Sequence, residues 1–168
     1  MKFLIVVDMQ VDFINGALGS RDAEAILPTV LKKVKEFDGK IIFTRDTHKN
    51  TYSDTQEGRK LPIPHCIKGS DGWRICDTLR PCAVTVVDKP TFGSMALPEI
   101  IGGYGQSVDE IELCGLCTDI CVISNAMILK AAFPEARITV DGAACAGVTP
   151  ESHATALAAM RSVQIEVR

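Results

Sequence analysis

Six short apolar runs, separated by segments of helical periodicity, constrain this chain more than any other feature. They are FLIVV (3–7), IIFT (41–44), AVTVV (83–87), EIELC (110–114), RITV (137–140) and VQIEV (163–167). Runs of this length rich in β-branched residues mark strands buried on both faces. Strands that alternate with helices build a parallel sheet covered on both sides. The spacing predicts helices over 22–37, 95–102, 119–132 and 150–161. In the first, Ala25, Ile26, Val30, Leu31, Val34 and Phe37 recur at helical intervals, and Asp22 is the expected N-cap. Pro134 stops the third helix, and Pro150 suits the first turn of the fourth. The expected architecture is a three-layer α/β/α fold with a six-stranded parallel sheet, forming a single domain over residues 1–168.

Charge and cysteine usage exclude several function classes. The formal net charge is −3, and the densest basic run is Lys32, Lys33 and Lys35, so a nucleic-acid partner is not expected. No apolar stretch approaches the roughly 20 residues of a membrane span. The opening MKFLIVVDMQ is interrupted by Asp8 and has no small-residue cleavage site after it. It is therefore not read as a signal peptide, and the expected address is the cytoplasm. Seven cysteines, an odd count, then read as reduced thiols, most of them small buried apolar residues.

Chemistry gathers at the carboxyl ends of the expected strands, where parallel sheets place their sites. Asp8 ends the first run, Asp46 and His48 follow the second, Lys89 follows the third, and Cys117 and Cys121 follow the run ending at Cys114. Asp8 at the end of a buried strand needs a partner, and Lys89 is the obvious one. Cys121 near the start of a helix is a candidate nucleophile, its thiol pKa lowered by the helix N-terminus. The turn Gly115–Thr118 can aim backbone N–H groups at a developing oxyanion. Asp8 would then move the proton. The bland alternatives are a packed core thiol and a loop-capping carboxylate.

Asp46-x-His48 forms a second constellation. With His65, on the stiff segment LPIPHC, and Glu57 between them, it suits one divalent ion: Zn²⁺ first, Mn²⁺ or Fe²⁺ next. Such a pair alone often binds nothing. The long stretch 46–80 that carries it is expected to be ordered and functional. Phe13, Phe92 and Trp73 are candidate flat walls for a planar substrate, with core packing as the alternative. His153 is expected at the surface or against a partner. The spacing of Cys117 and Cys121 does not match a redox dithiol.

Together these segments resemble a known family. VDMQVDF (7–13), TRDTH (44–48), PHC (64–66), DKPTFGSM (88–95) and GLCTDICV (115–122) are similar, in order and across essentially the whole chain, to the isochorismatase-like cysteine hydrolases, nicotinamidase branch. The resemblance implies a triad of Asp8, Lys89 and Cys121. It also implies a cis peptide bond before Cys117 and an oxyanion hole from the backbone N–H groups of Cys117 and Cys121. A metal would sit on Asp46, His48 and His65, with Glu57 in the fourth position. The segment KNTYSD lacks the third histidine that some members use there. The implied activity is hydrolysis of nicotinamide to nicotinate and ammonia through a thioester, the metal holding the ring nitrogen. Alternatives are a sister amidase for another small amide, carbamoyl or ureido compound, and a non-catalytic metal or thiol sensor. A homo-oligomer, dimer or tetramer, is expected.

Overall fold

The computed structural model describes all of residues 1–168. Six strands form one parallel sheet: β1 (Lys2–Val7), β2 (Lys40–Asp46), β3 (Val86–Lys89), β4 (Glu110–Leu116), β5 (Arg137–Ala146) and β6 (Glu166–Val167). Their order is β3-β2-β1-β4-β5-β6. The chain first steps outward from β1 to β2 and β3, then crosses back to β4 and continues to β6. Right-handed crossovers in opposite directions place the intervening helices on opposite faces. α1 (Val11–Ile14), α2 (Arg21–Ala25) and α3 (Leu27–Glu36) pack with one another. So do α5 (Ala96–Gly102), α6 (Ile123–Ala132) and α7 (Pro150–Ser162), whereas α4 (Gln56–Lys60) sits within the long β2–β3 connection.

The core lies where the sheet is covered twice. Phe3 through Val7 of β1 are all fully buried, as are Ile111, Leu113 and Cys114 of β4. Each such aliphatic side chain contributes about 1.5–3 kcal/mol by leaving water. No helix is long and apolar enough to cross a membrane. All seven cysteines are free thiols.

Several boundaries differ from the sequence reading. The helix expected over 22–37 breaks at Ile26, and Pro28 opens the second piece because its ring cannot continue the first. Ser20, not Asp22, caps the first piece, its hydroxyl accepting from the Ala23 N–H at 3.1 Å. The third strand begins at Val86 instead of residue 83, because a 3₁₀ turn over Arg80–Cys82 leaves Val84 91% exposed. The last strand shrinks to two residues, because Val163 still caps α7 and Gln164 turns at φ 65°. The helix expected from 119 divides into a π-helical segment, Thr118–Val122, and α6.

The order reversal between β1 and β4 creates a crevice beyond their carboxyl ends. Gly115 permits it: its φ is 115°, and any Cβ there would run into the Val7 backbone of the neighbouring strand.

Candidate active site

Asp8 leaves β1 in the left-handed region at φ 46°, a conformation aspartate tolerates better than most residues. The turn drives its carboxylate into the crevice, fully buried. One oxygen accepts from the Thr44 hydroxyl at 2.7 Å, and the other lies 2.6 Å from the Lys89 ammonium. Lys89 closes β3 and is 1% exposed. Its Nζ also donates to the Thr91 carbonyl at 3.1 Å and lies 3.5 Å from Cys121 Sγ. Acid, amine and sulfur, far apart in the chain, thus meet in one place.

Cys121 is the fourth residue of the π-helical segment. Asn125, one helical turn on, donates to the Cys121 carbonyl at 2.8 Å and to the Phe92 carbonyl at 3.2 Å. Its Oδ1 accepts from the Ser94 N–H at 2.9 Å. Asn125 therefore pins the thiol-bearing segment to the loop after β3. The Leu116–Cys117 peptide bond is cis.

The electrostatics correct one sequence expectation. Cys121 sits just ahead of α6, yet its thiol is pushed well above its ordinary value. Burial is the main cause and the neighbouring Asp8 carboxylate adds to it, while Lys89 opposes both. A helix N-terminus does not outweigh full desolvation. Burial also raises Asp8, against the pull of Lys89. Burial alone would lower Lys89, but Asp8, Cys121 and Asp46 together carry it upward. The resting site thus holds a neutral thiol beside the Asp8–Lys89 pair, with the lysine charged.

Next to it, four groups converge. Asp46 Oδ2 lies 2.8 Å from His48 Nε2 and 3.7 Å from His65 Nε2, and Glu57 Oε1 lies 3.5 Å and 3.7 Å from the same two nitrogens. All four donor atoms fall within 4.8 Å of one another. Asp46 closes β2, and the long connection between β2 and β3 supplies the other three groups. The His48 N–H donates to the Cys66 carbonyl at 3.0 Å, and the Cys66 N–H to Asp12 at 2.7 Å.

The donor set fits a divalent cation. Tetrahedral ligands about 2.1 Å from an ion stand about 3.4 Å apart, within the spread seen here. His65 Nδ1 lies 2.8 Å from the Ile63 carbonyl, which holds a proton on that nitrogen and leaves Nε2 free to ligate. His48 Nε2 is buried against the Asp46 carboxylate but is not aligned for a hydrogen bond with it. The buried Asp46 carboxyl is held far below its usual range: burial would raise it, but both imidazoles and Lys89 reverse that. Asp46, His48, His65 and Glu57 are the residues that would hold the ion.

Both centres adjoin one cavity of about 490 Å³, whose walls include Asp46, Glu57, His65, Cys117 and Cys121. Its apolar wall includes Phe13, Leu18, Leu116 and Ile120, with the 42% exposed Phe92 at the rim. No lysine or arginine lines it. Trp73, expected as a third flat wall, lies outside. Its indole N–H donates to the Thr47 hydroxyl at 2.8 Å, and the Arg45 guanidinium stacks on its ring at 3.5 Å. That stack holds the indole away from the cavity.

Three buried polar residues at the site, Asn125, Gln10 and Thr44, escaped the sequence reading. Gln10 donates to the Asp46 and Trp73 carbonyls, each at 2.9 Å, and accepts from the Asp46 N–H at 2.7 Å. Thr44 braces Asp8. The signal for Gln10 was a long polar side chain two residues past Asp8, at the mouth of an apolar strand.

Comparison with known proteins agrees with this fold. The isochorismatase domain model matches residues 2–168. A nicotinamidase/pyrazinamidase from Mycobacterium tuberculosis is 26% identical, covering 99% of this chain and 98% of that protein. The pyrazinamidase of Pyrococcus horikoshii, solved in complex with zinc, superposes with a TM-score of 0.84 at 27% identity, covering 99% of this chain and 98% of that one. N-carbamoylsarcosine amidase from Thermoplasma acidophilum superposes with a TM-score of 0.82, also at 27% identity, covering 99% and 95%. The fold and the full-length family match agree, and the chain belongs to the isochorismatase family.

Proposed function

We propose that this protein is a metal-dependent nicotinamidase that hydrolyses nicotinamide to nicotinate and ammonia. The observation that carries this reading is one largely apolar cavity, free of lysine and arginine, onto which both the thiol and the metal-type cluster face. A flat, neutral ring amide matches such walls. N-carbamoylsarcosine carries a carboxylate and no ring, and no lysine or arginine lines the cavity to pair that charge apart from the metal-type cluster itself. The M. tuberculosis and P. horikoshii relatives support the same choice.

The chemistry follows from the residues. Asp8 takes the Cys121 proton as the sulfur attacks the carboxamide carbon. The backbone N–H groups of Cys117 and Cys121 hold the oxyanion of the tetrahedral adduct. The C–N bond breaks, Asp8 returns the proton to the departing nitrogen, and ammonia leaves a thioester. Water then adds to the acyl carbon, giving its proton to Asp8. The C–S bond breaks, the carboxylic acid departs, and the proton on Asp8 restores the thiol. Lys89 keeps the Asp8 carboxylate oriented and its charge compensated throughout. A bound divalent ion would supply a Lewis-acid anchor for the ring nitrogen. Phe13 and Phe92 would flank the ring.

Ammonia release from nicotinamide and from N-carbamoylsarcosine, each before and after chelation, tests this reading. Turnover of nicotinamide that disappears on chelation and returns with Zn²⁺ is expected. Turnover of only the carbamoyl compound would overturn it.

A further inference from the structure

His153 does not stand free at the surface. Its Nδ1 shares a 2.8 Å hydrogen bond with Thr118 Oγ1. Thr118 is fully buried, directly follows Cys117, and opens the π-helical segment that ends just past Cys121. That bond is the only hydrogen bond of the Thr118 hydroxyl. The ring comes from the first turn of α7, which is itself well fixed. The Thr149 hydroxyl accepts from the Ser152 N–H at 3.1 Å, Ser152 Oγ accepts from the Thr149 N–H at 3.1 Å, and Pro150 begins the helix.

The same turn also holds Gly147 and Val148, which line the cavity. Gly147 lies so close against His153 that a Cβ on it would come 2.9 Å from the His153 backbone nitrogen, so only glycine fits. The Val148 N–H donates to Asp119 Oδ1 at 3.1 Å, a second tie between this wall and the π-helical segment. Gly147 and Val148 line the cavity, as do Cys117 and Cys121, whereas His153 does not. His153 thus touches no substrate. It holds Thr118, which lies between Cys117 and the rest of the segment that carries Cys121.

We infer that His153 is a positioning residue for oxyanion stabilisation, acting through Thr118; the inference rests on reading Cys121 as the nucleophile. An oxyanion forms when the thiol is acylated and does not form when it is alkylated. His153→Ala should therefore slow acylation of Cys121 by p-nitrophenyl acetate by about tenfold or more. Alkylation of the same thiol by iodoacetamide should hold its wild-type rate. A merely structural role would move both together.

His153→Asn, which returns an amide atom near the place of Nδ1, should recover most of the acylation rate. Thr118→Val should lose as much as His153→Ala, and the double variant should lose no more than either alone. Unchanged acylation in His153→Ala, or alkylation falling in step with it, overturns the inference. Neither rate needs amide turnover, so a protein inactive on nicotinamide still tests it. A wild-type protein that is not acylated at Cys121 overturns the nucleophile reading, and this inference with it.

Discussion

Lys89 Nζ lies 3.3 Å from Asp46 Oδ1, while the other oxygen of Asp46 lies 2.8 Å from His48 Nε2. One carboxylate therefore joins the candidate triad to the candidate metal cluster. The same ammonium sits 2.6 Å from Asp8, so two buried carboxylates share one cation. Removing it strands both. Lys89→Met, similar in volume, should destabilise the protein by about 3–5 kcal/mol, the cost of leaving a buried charge unpaired. It should also abolish amide turnover. Denaturant unfolding checks the first effect, and a wild-type midpoint would show that the pair does not hold the fold.

Cys117 and Cys121 both line the cavity but have different tasks in the proposed mechanism, one giving only its backbone N–H. Cys121→Ala should lower ammonia release by about 10³-fold or more while the protein still takes up metal. Cys117→Ala keeps the peptide N–H and should stay within about tenfold of wild type. Equal losses in the two variants would show that the sulfur of Cys117 takes part.

The raised thiol and the raised carboxyl set a pH dependence. Burial and Asp8 hold Cys121 protonated well above its ordinary range. In the substrate-free protein its alkylation by iodoacetamide, proportional to the thiolate fraction, should be slow at neutral pH. It should climb about tenfold per pH unit without levelling off below pH 9. Asp8 must be ionised to accept the thiol proton. Burial raises its pKa, so kcat/KM is retained above that raised value and lost as pH falls through it. The acid limb should thus lie above the ordinary aspartate value of about 3.9. A rapid-alkylation plateau near pH 7 would contradict the neutral resting thiol.

Gln10 braces the cluster from behind. It holds the Asp46 backbone through its N–H and its carbonyl, and ties it to Trp73. Gln10→Ala leaves those buried groups unpaired, at about 1–3 kcal/mol each before relaxation. Metal affinity should fall by about 10–100-fold, as when an outer hydrogen-bonding partner of a ligand is lost. Titration of the variant with Zn²⁺, read by competition with a chelating dye, gives the number. Unchanged affinity would mean that Asp46 is held by its strand alone.

Much of this was legible because parallel strands carry their chemistry at one end. Asp8, Asp46, Lys89 and Cys121 each follow or close an apolar run, so the sheet alone brings them to one rim. What sequence could not give is direction. Trp73 turns outward because Arg45 and Thr47 hold its indole, and both contacts depend on how the β2–β3 connection folds back. The thiol's raised pKa depends on complete burial, which the helix-terminus argument cannot weigh. His153 reaches Thr118 only because Gly147 lets α7 lie close. Long-range polar contacts of this kind leave no periodic trace in a chain.

The walls of the cavity give a last contrast. Phe13 is 8% exposed, with its ring 5.5 Å from that of His65, so it borders both the apolar wall and the metal-type cluster. Phe13→Leu conserves apolar volume but removes the flat face against which a ring substrate stacks. It should raise KM for nicotinamide by about 3–10-fold with little change in kcat, because ground state and transition state lose the same contact. Trp73→Phe, outside the cavity, should leave KM within about twofold. It still removes the bond to Thr47, at a cost of about 1 kcal/mol of stability. Steady-state kinetics on both variants separate the two aromatics. A larger KM effect at Trp73 than at Phe13 would mean that the substrate lies on the other side of the β2–β3 connection.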